Sequence, residues 1–591
     1  MHKIFEALKV INRAYRGYRR QITLLSFLGL LGAFFEGIGV TAVIPLFALI
    51  NGGGKLGDDF ISKIVIRVFS ITSFNPTVKT LVFFIFVLFI SKFFITLLIN
   101  RMTVSINTRY FEQISNALFV KMADSSWSHL AKEKIGHLQN LISVNAKHCV
   151  SLLTQISSVI VLAMNVVAYV FLAFNISIII TSATLILGVL ILFLYWPSVY
   201  KLKKDASRIN KYKTEVSHYV NEKVVGMKTI KAMHVVEKVK EQVSKYFKNI
   251  EEFRFKILFR KKVMGQFLEP IVLIYMFAIF FLSYKRPGFS IAAFAVILFL
   301  IQRIFNYVNQ IQSSMHGSAE ALPFLKSVLE YMSEAVLEKE SDSGTSDFRF
   351  MKTLEFKKIN FSYKSGENIL SNISFAIKQG GMVGLVGPSG AGKTTIADLI
   401  LRLTLPSSGL IAIDGEDISR VKLKEWRRYI GYVPQDIFLI NDTIAANIRF
   451  FDDQITDEQL VEVAKMANIY DFILTKPSGF ATKVGERGVS LSAGQRQRIV
   501  LARILARKPA LLILDEATSA LDNESELIIQ RVIQNLKGKM TVLIIAHRLT
   551  TVLNCDEVFV LQDGEIIENG EPHQLLSNPR TYFSQTFNVN R

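Results

Sequence analysis

Eight consecutive residues, Gly387-Pro388-Ser389-Gly390-Ala391-Gly392-Lys393-Thr394, have the types and spacing to hold a polyphosphate. An apolar run, Met382 to Val386, precedes them, and Ile396-Ala397-Asp398-Leu399-Ile400 follows, so the stretch reads as strand, loop and helix. In that context the pattern G-x-x-x-x-G-K-[ST] is a phosphate-binding loop. Gly387, Gly390 and Gly392 let backbone N–H groups turn inward around the phosphates, and the helix that follows adds the positive end of its dipole. Ser389, Ala391 and Thr395 are read with them as phosphate-binding positions. Lys393 reaches the β- and γ-phosphates, and the Thr394 hydroxyl is a ligand for Mg²⁺.

A second stretch supplies what such a loop lacks. Leu511-Leu512-Ile513-Leu514-Asp515-Glu516 is a buried strand ending in two acids. Asp515 is expected to hold Mg²⁺, directly or through water, and Glu516 to act as general base on the water that attacks the γ-phosphate.

These residues need a scaffold, and the composition divides it in two. The chain has 591 residues, 50% of them apolar, with 45 phenylalanines and a net charge of +20; its mean hydropathy is +0.33. Such values point to membrane spans. The basic residues cluster beside the apolar runs, as in Arg13, Arg16, Arg19 and Arg20. The positive charge is therefore read as that of cytoplasmic membrane loops, and nucleic acid is not expected as a partner. Two cysteines, Cys149 and Cys555, imply no disulfide framework. Met1 to Arg20 lacks a cleavable signal pattern and is expected to lie as a basic amphipathic helix on the inner leaflet.

Six apolar segments are expected to span the bilayer, near 22–50, 78–99, 150–173, 176–196, 263–284 and 289–311. Spans three and four are joined by Phe174-Asn175, and spans five and six by a turn at Arg286-Pro287-Gly288. Long polar helical stretches separate spans two and three, and spans four and five. Each arm of such a hairpin projects roughly 35–45 Å beyond the membrane. The loop 51–77 contains a candidate short interfacial helix over 60–69. The expected division is a transmembrane domain at 1–335, a linker at 336–350, and a nucleotide-binding domain at 351–591. Short β-rich runs alternate with helical patterns in the last of these, the signature of an α/β fold.

Further motifs carry a family resemblance. Leu491-Ser492-Ala493-Gly494-Gln495-Arg496-Gln497-Arg498 resembles the signature motif of ATP-binding cassette (ABC) proteins. Asp515 to Asp522 is similar to their Walker B and D-loop. Ile545-Ala546-His547-Arg548-Leu549 resembles the switch-histidine loop, Tyr432-Val433-Pro434-Gln435 the Q-loop, Phe361-Ser362-Tyr363 the adenine-stacking A-loop, and Val484 to Gly488 the X-loop of exporters. The resemblance implies ATP and Mg²⁺ as cofactors. It also implies that Tyr363 stacks on adenine, that Gln435 touches Mg²⁺ and the attacking water, and that His547 stabilises transition-state charge. Ser492, Gly494, Gln495 and Asp522 are implied to contact nucleotide held by a second subunit, so that a homodimer forms two composite sites. Ala493 stands where the family usually has glycine, and its methyl is harmless if φ there is negative.

The membrane half resembles six-span exporters with long intracellular helices, a six-helix α domain fused to the cassette. Gly226 is similar to the second coupling helix and Asp124 to Leu130 is a weaker match to the first. Charges inside spans are costly and commonly face an aqueous cavity; Glu36, Lys92, Glu269 and Arg303 are such positions. The run Phe34 to Pro45 contains a Gly/Pro-loosened stretch and, with Arg303, resembles lipid-linked oligosaccharide flippases of bacterial glycosylation. Glu36, Lys92 and Arg303 are the expected substrate contacts. The expected role is an ATP-driven exporter or flippase of an amphipathic, lipid-like substrate, multi-pass in a bacterial inner membrane, with cassette and both termini cytosolic. Drug, lipid A-type or peptide export, and an ATP-gated channel, are the competing expectations. Bacteriocin exporters begin with a cysteine-protease domain, and none is expected in the roughly 20 residues before span one.

Overall fold

A computed structural model describes residues 11–12, 14–51, 62–63, 66–67, 69–70, 75, 77–284, 290–340, 342–363, 368–517, 521–546 and 548–589. Expectations for 1–10, most of the interfacial helix at 60–69, the turn 286–288, Thr518-Ser519-Ala520 and His547 lie outside the described residues. The chain divides into two compact units, Met1–Ser125 with His129–Lys339, and Glu340–Arg591 with the short piece Ser126–Ser128.

The first unit is helical. It contains α1 (Arg19–Thr41), α2 (Val43–Asn51), α3 (Val78–Ala123), the end of α4 (Trp127–Leu130, whose first two residues belong to the second unit), α5 (Ala146–Phe174), α6 (Ile178–Val225), α7 (Met227–Ala232), α8 (Val236–Ser283) and α9 (Ile291–Leu337). The expected loosening of the first span is a break at Ala42 between α1 and α2. Pro45 explains it, because a proline ring collides with the carbonyl four residues earlier, here that of Thr41. Among the described residues, five helices are long and apolar enough to cross a membrane. The fourth expected span is instead a shorter apolar stretch, Ile178–Leu194, at the start of α6.

Four helices far exceed a bilayer. The 46 residues of α3 extend about 69 Å, against a hydrocarbon layer of about 30 Å. The expected hairpin arms are therefore continuations of the spans themselves. Gly226 separates α6 from α7 at the tip of one of them. Large apolar side chains remain exposed along α3 (Phe83, Phe86, Phe93, Phe94) and α6 (Ile178, Ile179, Ile186, Phe193), as lipid-facing surfaces require. Inside, α9 packs along α5: Leu300, Ile304 and Phe305 are buried with Ala168, Tyr169 and Leu172.

The second unit is α/β. An antiparallel sheet has the order β2-β1-β4-β5, from β1 (Thr353–Phe361), β2 (Leu370–Lys378), β4 (Ser408–Ile413) and β5 (Glu416–Asp417). A six-stranded sheet has the order β10-β9-β3-β8-β7-β6, built from β3 (Met382–Val386), β6 (Ile430–Val433), β7 (Leu511–Asp515), β8 (Thr541–Ala546), β9 (Glu557–Gln562) and β10 (Glu565–Gly570). Its β3, β6, β7, β8 and β9 run parallel. Leu512, Leu514, Val542 and Ile544 enter one core and Ile513, Leu543 and Ile545 the other. Burial on both faces is why these strands read as unbroken apolar runs. Residues 342–350 are strapped to this unit: Thr345 N–H donates to the Arg420 carbonyl at 2.8 Å, and Leu423 N–H to the Asp342 carboxylate at 3.1 Å.

Candidate functional site

The loop 387–392 leaves β3 and enters α10 (Lys393–Ile400) at the carboxyl edge of the parallel sheet. Gly387 has φ +154°, and a Cβ there would stand 2.0 Å from the Leu561 carbonyl oxygen; only glycine fits. Gly392, the residue capping α10, has φ +102°. Lys393 is 6% exposed. Its ammonium donates to the Gly387 and Pro388 carbonyls at 2.8 Å each, so it lies across the mouth of its own loop. Burial lowers its pKa, opposed by the nearby carboxylates of Glu516 and Asp515. Ser389 and Gly390 are exposed, while Ala391 and Thr395 are buried beneath them.

Asp515 ends β7 with 2% exposure. The Tyr432 hydroxyl donates to it at 3.2 Å, and the Thr394 hydroxyl also bonds it. Burial raises its pKa, against the pull of those hydroxyls and of Lys393. Glu516, the next residue, has φ +49°, and its N–H is held by the Ile545 carbonyl at 2.9 Å. The left-handed turn aims its side chain out of the sheet, where Gln435 Nε2 donates to it at 2.6 Å. Asp398, which sequence reasoning did not single out, lies one turn after Thr394 and so shares its face of α10. Burial, then the charge of Asp515, pushes its carboxyl up to about 6, opposed by a hydrogen bond from Tyr363. Tyr363 is otherwise half-exposed, its ring edge-on to Phe361 at 4.8 Å.

The signature segment opens α11 (Ala493–Leu505). Ser492 and Gln495 form a reciprocal cap: Gln495 N–H donates to Ser492 Oγ at 3.2 Å, and Ser492 N–H to Gln495 Oε1 at 2.9 Å. Ala493 is the first helical residue and has negative φ, so its methyl introduces no backbone strain. Gly494 is required by contact, since a Cβ would meet Ser525 Oγ at 2.5 Å. Ser525 lies in the first turn of α12 (Asn523–Gln534), which Asp522 caps by accepting from Ser525 N–H at 3.1 Å. Arg548, beside His547, pairs with Glu526 of the same helix. A cavity of about 540 Å³ lies between Gln435 and Glu516 on one side and Glu486, Arg487 and Ala493 on the other.

The residues fit a Mg–nucleotide. The glycine loop and α10 N-terminus form an anion cradle, and Thr394 with Asp515 offers two oxygen ligands, matching a cation that keeps its remaining sites for water and phosphate. Among the described residues no cluster of three or more His, Cys, Asp or Glu forms an all-protein metal cage.

Comparison with known proteins agrees with this geometry. Residues 370–519 match the family described as "ABC transporter", and residues 41–306 the "ABC transporter transmembrane region". The "heterocyst differentiation ATP-binding protein HepA" of Nostoc sp. (strain PCC 7120) is 32% identical, covering 79% of this chain and 77% of its own length. The chain belongs to the ABC transporter family. An "ATP-dependent lipid A-core flippase" of Saccharophagus degradans is 35% identical over 66% of each chain. "ATP-binding cassette sub-family B member 6" of Mus musculus is 46% identical over 40% of this chain, which spans only 28% of that protein. A solved bacterial Atm1-family ABC exporter with ATP bound shares the fold, with a TM-score of 0.80, 22% identity and coverage of 97% and 98%. This ABC transporter thus fuses a transmembrane region to an ATP-binding cassette, with the exporter fold; ATP hydrolysis coupled to transport is typical of the family.

In its transmembrane unit the three expected substrate contacts meet one another. Glu36 is 1% exposed and pairs with both Lys92 and Arg303. Arg303 also lies over the Phe299 ring at 5.3 Å. Glu269 is exposed on α8, away from this triad's pairing.

Proposed function

We propose that this ABC transporter is a flippase or exporter that moves an amphipathic lipid with an anionic, phosphate-bearing headgroup out of the cytosolic leaflet, a lipid-linked oligosaccharide being the best match. The observation that carries this reading is the triad, in which the buried Glu36 carboxylate meets the part-exposed Lys92 and Arg303. Two cations and one carboxylate leave a net charge of +1 within apolar helices, and such a charge is costly in hydrocarbon unless an anion answers it. Arginine and lysine together suit phosphate oxygens. The relative named a lipid A-core flippase supports the same chemistry from a second direction and keeps lipid A-type cargo as the alternative.

The motor is proposed to work as follows. Lys393 would leave its loop carbonyls to bind phosphate, and Thr394 and Asp515 would hold a Mg²⁺ that would supply positive charge against the developing phosphate charge. Glu516, aimed by its left-handed backbone, orients the attacking water, with Gln435 beside it, and His547 takes the charge-stabilising role that the family resemblance implies. Ser492, Gly494, Gln495 and Asp522 serve the nucleotide of a second copy, so the working unit is a homodimer. The cassette and both termini are placed in the cytosol of a bacterial inner membrane.

ATP hydrolysis by reconstituted protein, assayed with polyprenyl-linked sugars, phospholipids, peptides and dyes, tests the cargo. Stimulation by phosphate-linked lipids is expected. In the same vesicles Arg303→Ala is expected to lose translocation, and unchanged translocation would refute the role of the triad.

A further inference from the structure

A second polar feature lies between the three helices of the triad, α1, α3 and α9, and α5. A cavity of about 350 Å³ is lined by Asn100, Thr103, Ser157, Gln310, Ser313 and Ser314, with apolar residues between them. Its volume falls within the roughly 300–1,000 Å³ of small-ligand pockets. No charged residue lines it.

Its position follows from helical periodicity. On α3, Lys92 and the lining residues Ile99 and Thr103 share one face; on α9, Arg303, Gln310 and Ser314 do the same. On α1, Leu25 of the cavity and Glu36 of the triad again share a face, and on α5 Val161 precedes Tyr169, whose ring contacts Tyr307 of α9 at 5.5 Å. The chain direction alternates among these helices, so α1, α3 and α9 bring the triad to one depth and, with α5, the cavity to another. The seven-residue step from Lys92 to Ile99, or from Arg303 to Gln310, is about 10 Å.

Two observations show that this column has unused bonding capacity. Asn165, one turn beyond Val161 and beside Gly29, has a buried Oδ1 with no hydrogen-bond partner. Arg303 commits one amine to Glu36 while its Nε, also buried, has none. The cavity hydroxyls are oriented as well. Thr103 Oγ1 donates to the Ile99 carbonyl at 2.8 Å and Ser157 Oγ to the Leu153 carbonyl at 2.9 Å. Their protons are thereby turned to the backbone, and their lone pairs are left for a donor.

We infer that the column is a two-part headgroup site: the Lys92–Arg303 end takes a phosphate, and the neutral cavity about 10 Å away takes the sugar attached to it. Hydroxyl-rich rings donate many hydrogen bonds, carry no charge and match a wall of oxygen acceptors and side-chain amides. This rests on the anion-binding reading of the triad and adds to it the part of the cargo that confers selectivity.

The test is equilibrium binding to the full-length protein in nanodiscs, using polyprenyl diphosphate with and without an attached N-acetylglucosamine. The native protein is expected to bind the glycosylated lipid about tenfold more tightly, the effect of one or two hydrogen bonds. Thr103→Val and Gln310→Leu, each near-isosteric, are expected to erase that preference and leave affinity for bare polyprenyl diphosphate unchanged. Ser157→Ala, the mildest change, is read alongside them. Equal affinity of the native protein for both lipids, or equal losses for both in the variants, overturns the sugar subsite while the phosphate reading stands. Failure of the native protein to bind either lipid overturns the phosphate reading itself. A phosphorylated, acylated glucosamine disaccharide, run as a third probe, assigns the site to lipid A-type cargo if it alone shows the dependence on Thr103 and Gln310.

Discussion

Glu516 combines a left-handed backbone (φ +49°) with a carboxylate held by Gln435 at 2.6 Å. A non-glycine residue in that region costs energy and persists when the surroundings impose it, here through its N–H bond to Ile545. Glu516→Gln keeps the shape and the turn and removes the proposed base. Phosphate release is expected to fall by about 10²–10⁴-fold, while binding of a fluorescent ATP analogue persists; near-normal release would assign the base elsewhere. Asp398 permits a prediction of opposite character. Its carboxyl stands at about 6 rather than 3.8, so between those values the folded chain keeps a proton that the unfolded chain releases. Stability therefore declines as pH rises through about 4 to 6. Asp398→Asn removes the titration, and its melting temperature should fall less than that of the native protein across this window. Parallel Tm–pH profiles would sink the assignment.

Among elements, close approach is set by glycines whose missing Cβ has a named neighbour. A Cβ on Gly37 of α1 would stand 2.2 Å from Leu172 Cδ1 of α5, and one on Gly29 2.6 Å from Val161 Cγ1. Small residues are what let helices approach in a membrane, where apolar burial gives little drive. Gly37→Val is expected to cost about 1–3 kcal/mol, seen as a lower unfolding midpoint in detergent. Leu172→Ala in the same chain should recover part of it. In the cassette, Gly494→Ala drives a methyl into Ser525, and Ser525→Gly is expected to rescue it. A double-mutant cycle reads the coupling, and strict additivity would show that the contact is unimportant.

For the whole molecule, a single copy carries one phosphate loop and one signature helix, and the proposed site needs the loop of one copy with the signature of another. Hydrolysis per mole of protein is then expected to rise with protein concentration and level off, in step with the dimer fraction measured by light scattering. A flat profile across dilution would contradict the shared site. Mixing Glu516→Gln protein with native protein should lower activity beyond simple dilution, for the same reason.

Much of this was legible beforehand. The phosphate loop, the acidic strand end and the cassette motifs are local patterns, each set by a few residues' backbone needs, and they read correctly as strand, loop and helix. The loosening near Pro45 and the helical hairpins were equally local. Only three-dimensional packing decided the rest. That Glu36 joins Lys92 and Arg303 depends on three helices far apart in sequence meeting at one depth. The need for glycine at 494 comes from Ser525, not from its own backbone. Asp398 looks like an ordinary helix residue until Asp515 and Tyr363 close around it. Charge pairing, steric contact and desolvation are properties of neighbours in space, and a linear chain does not name its neighbours.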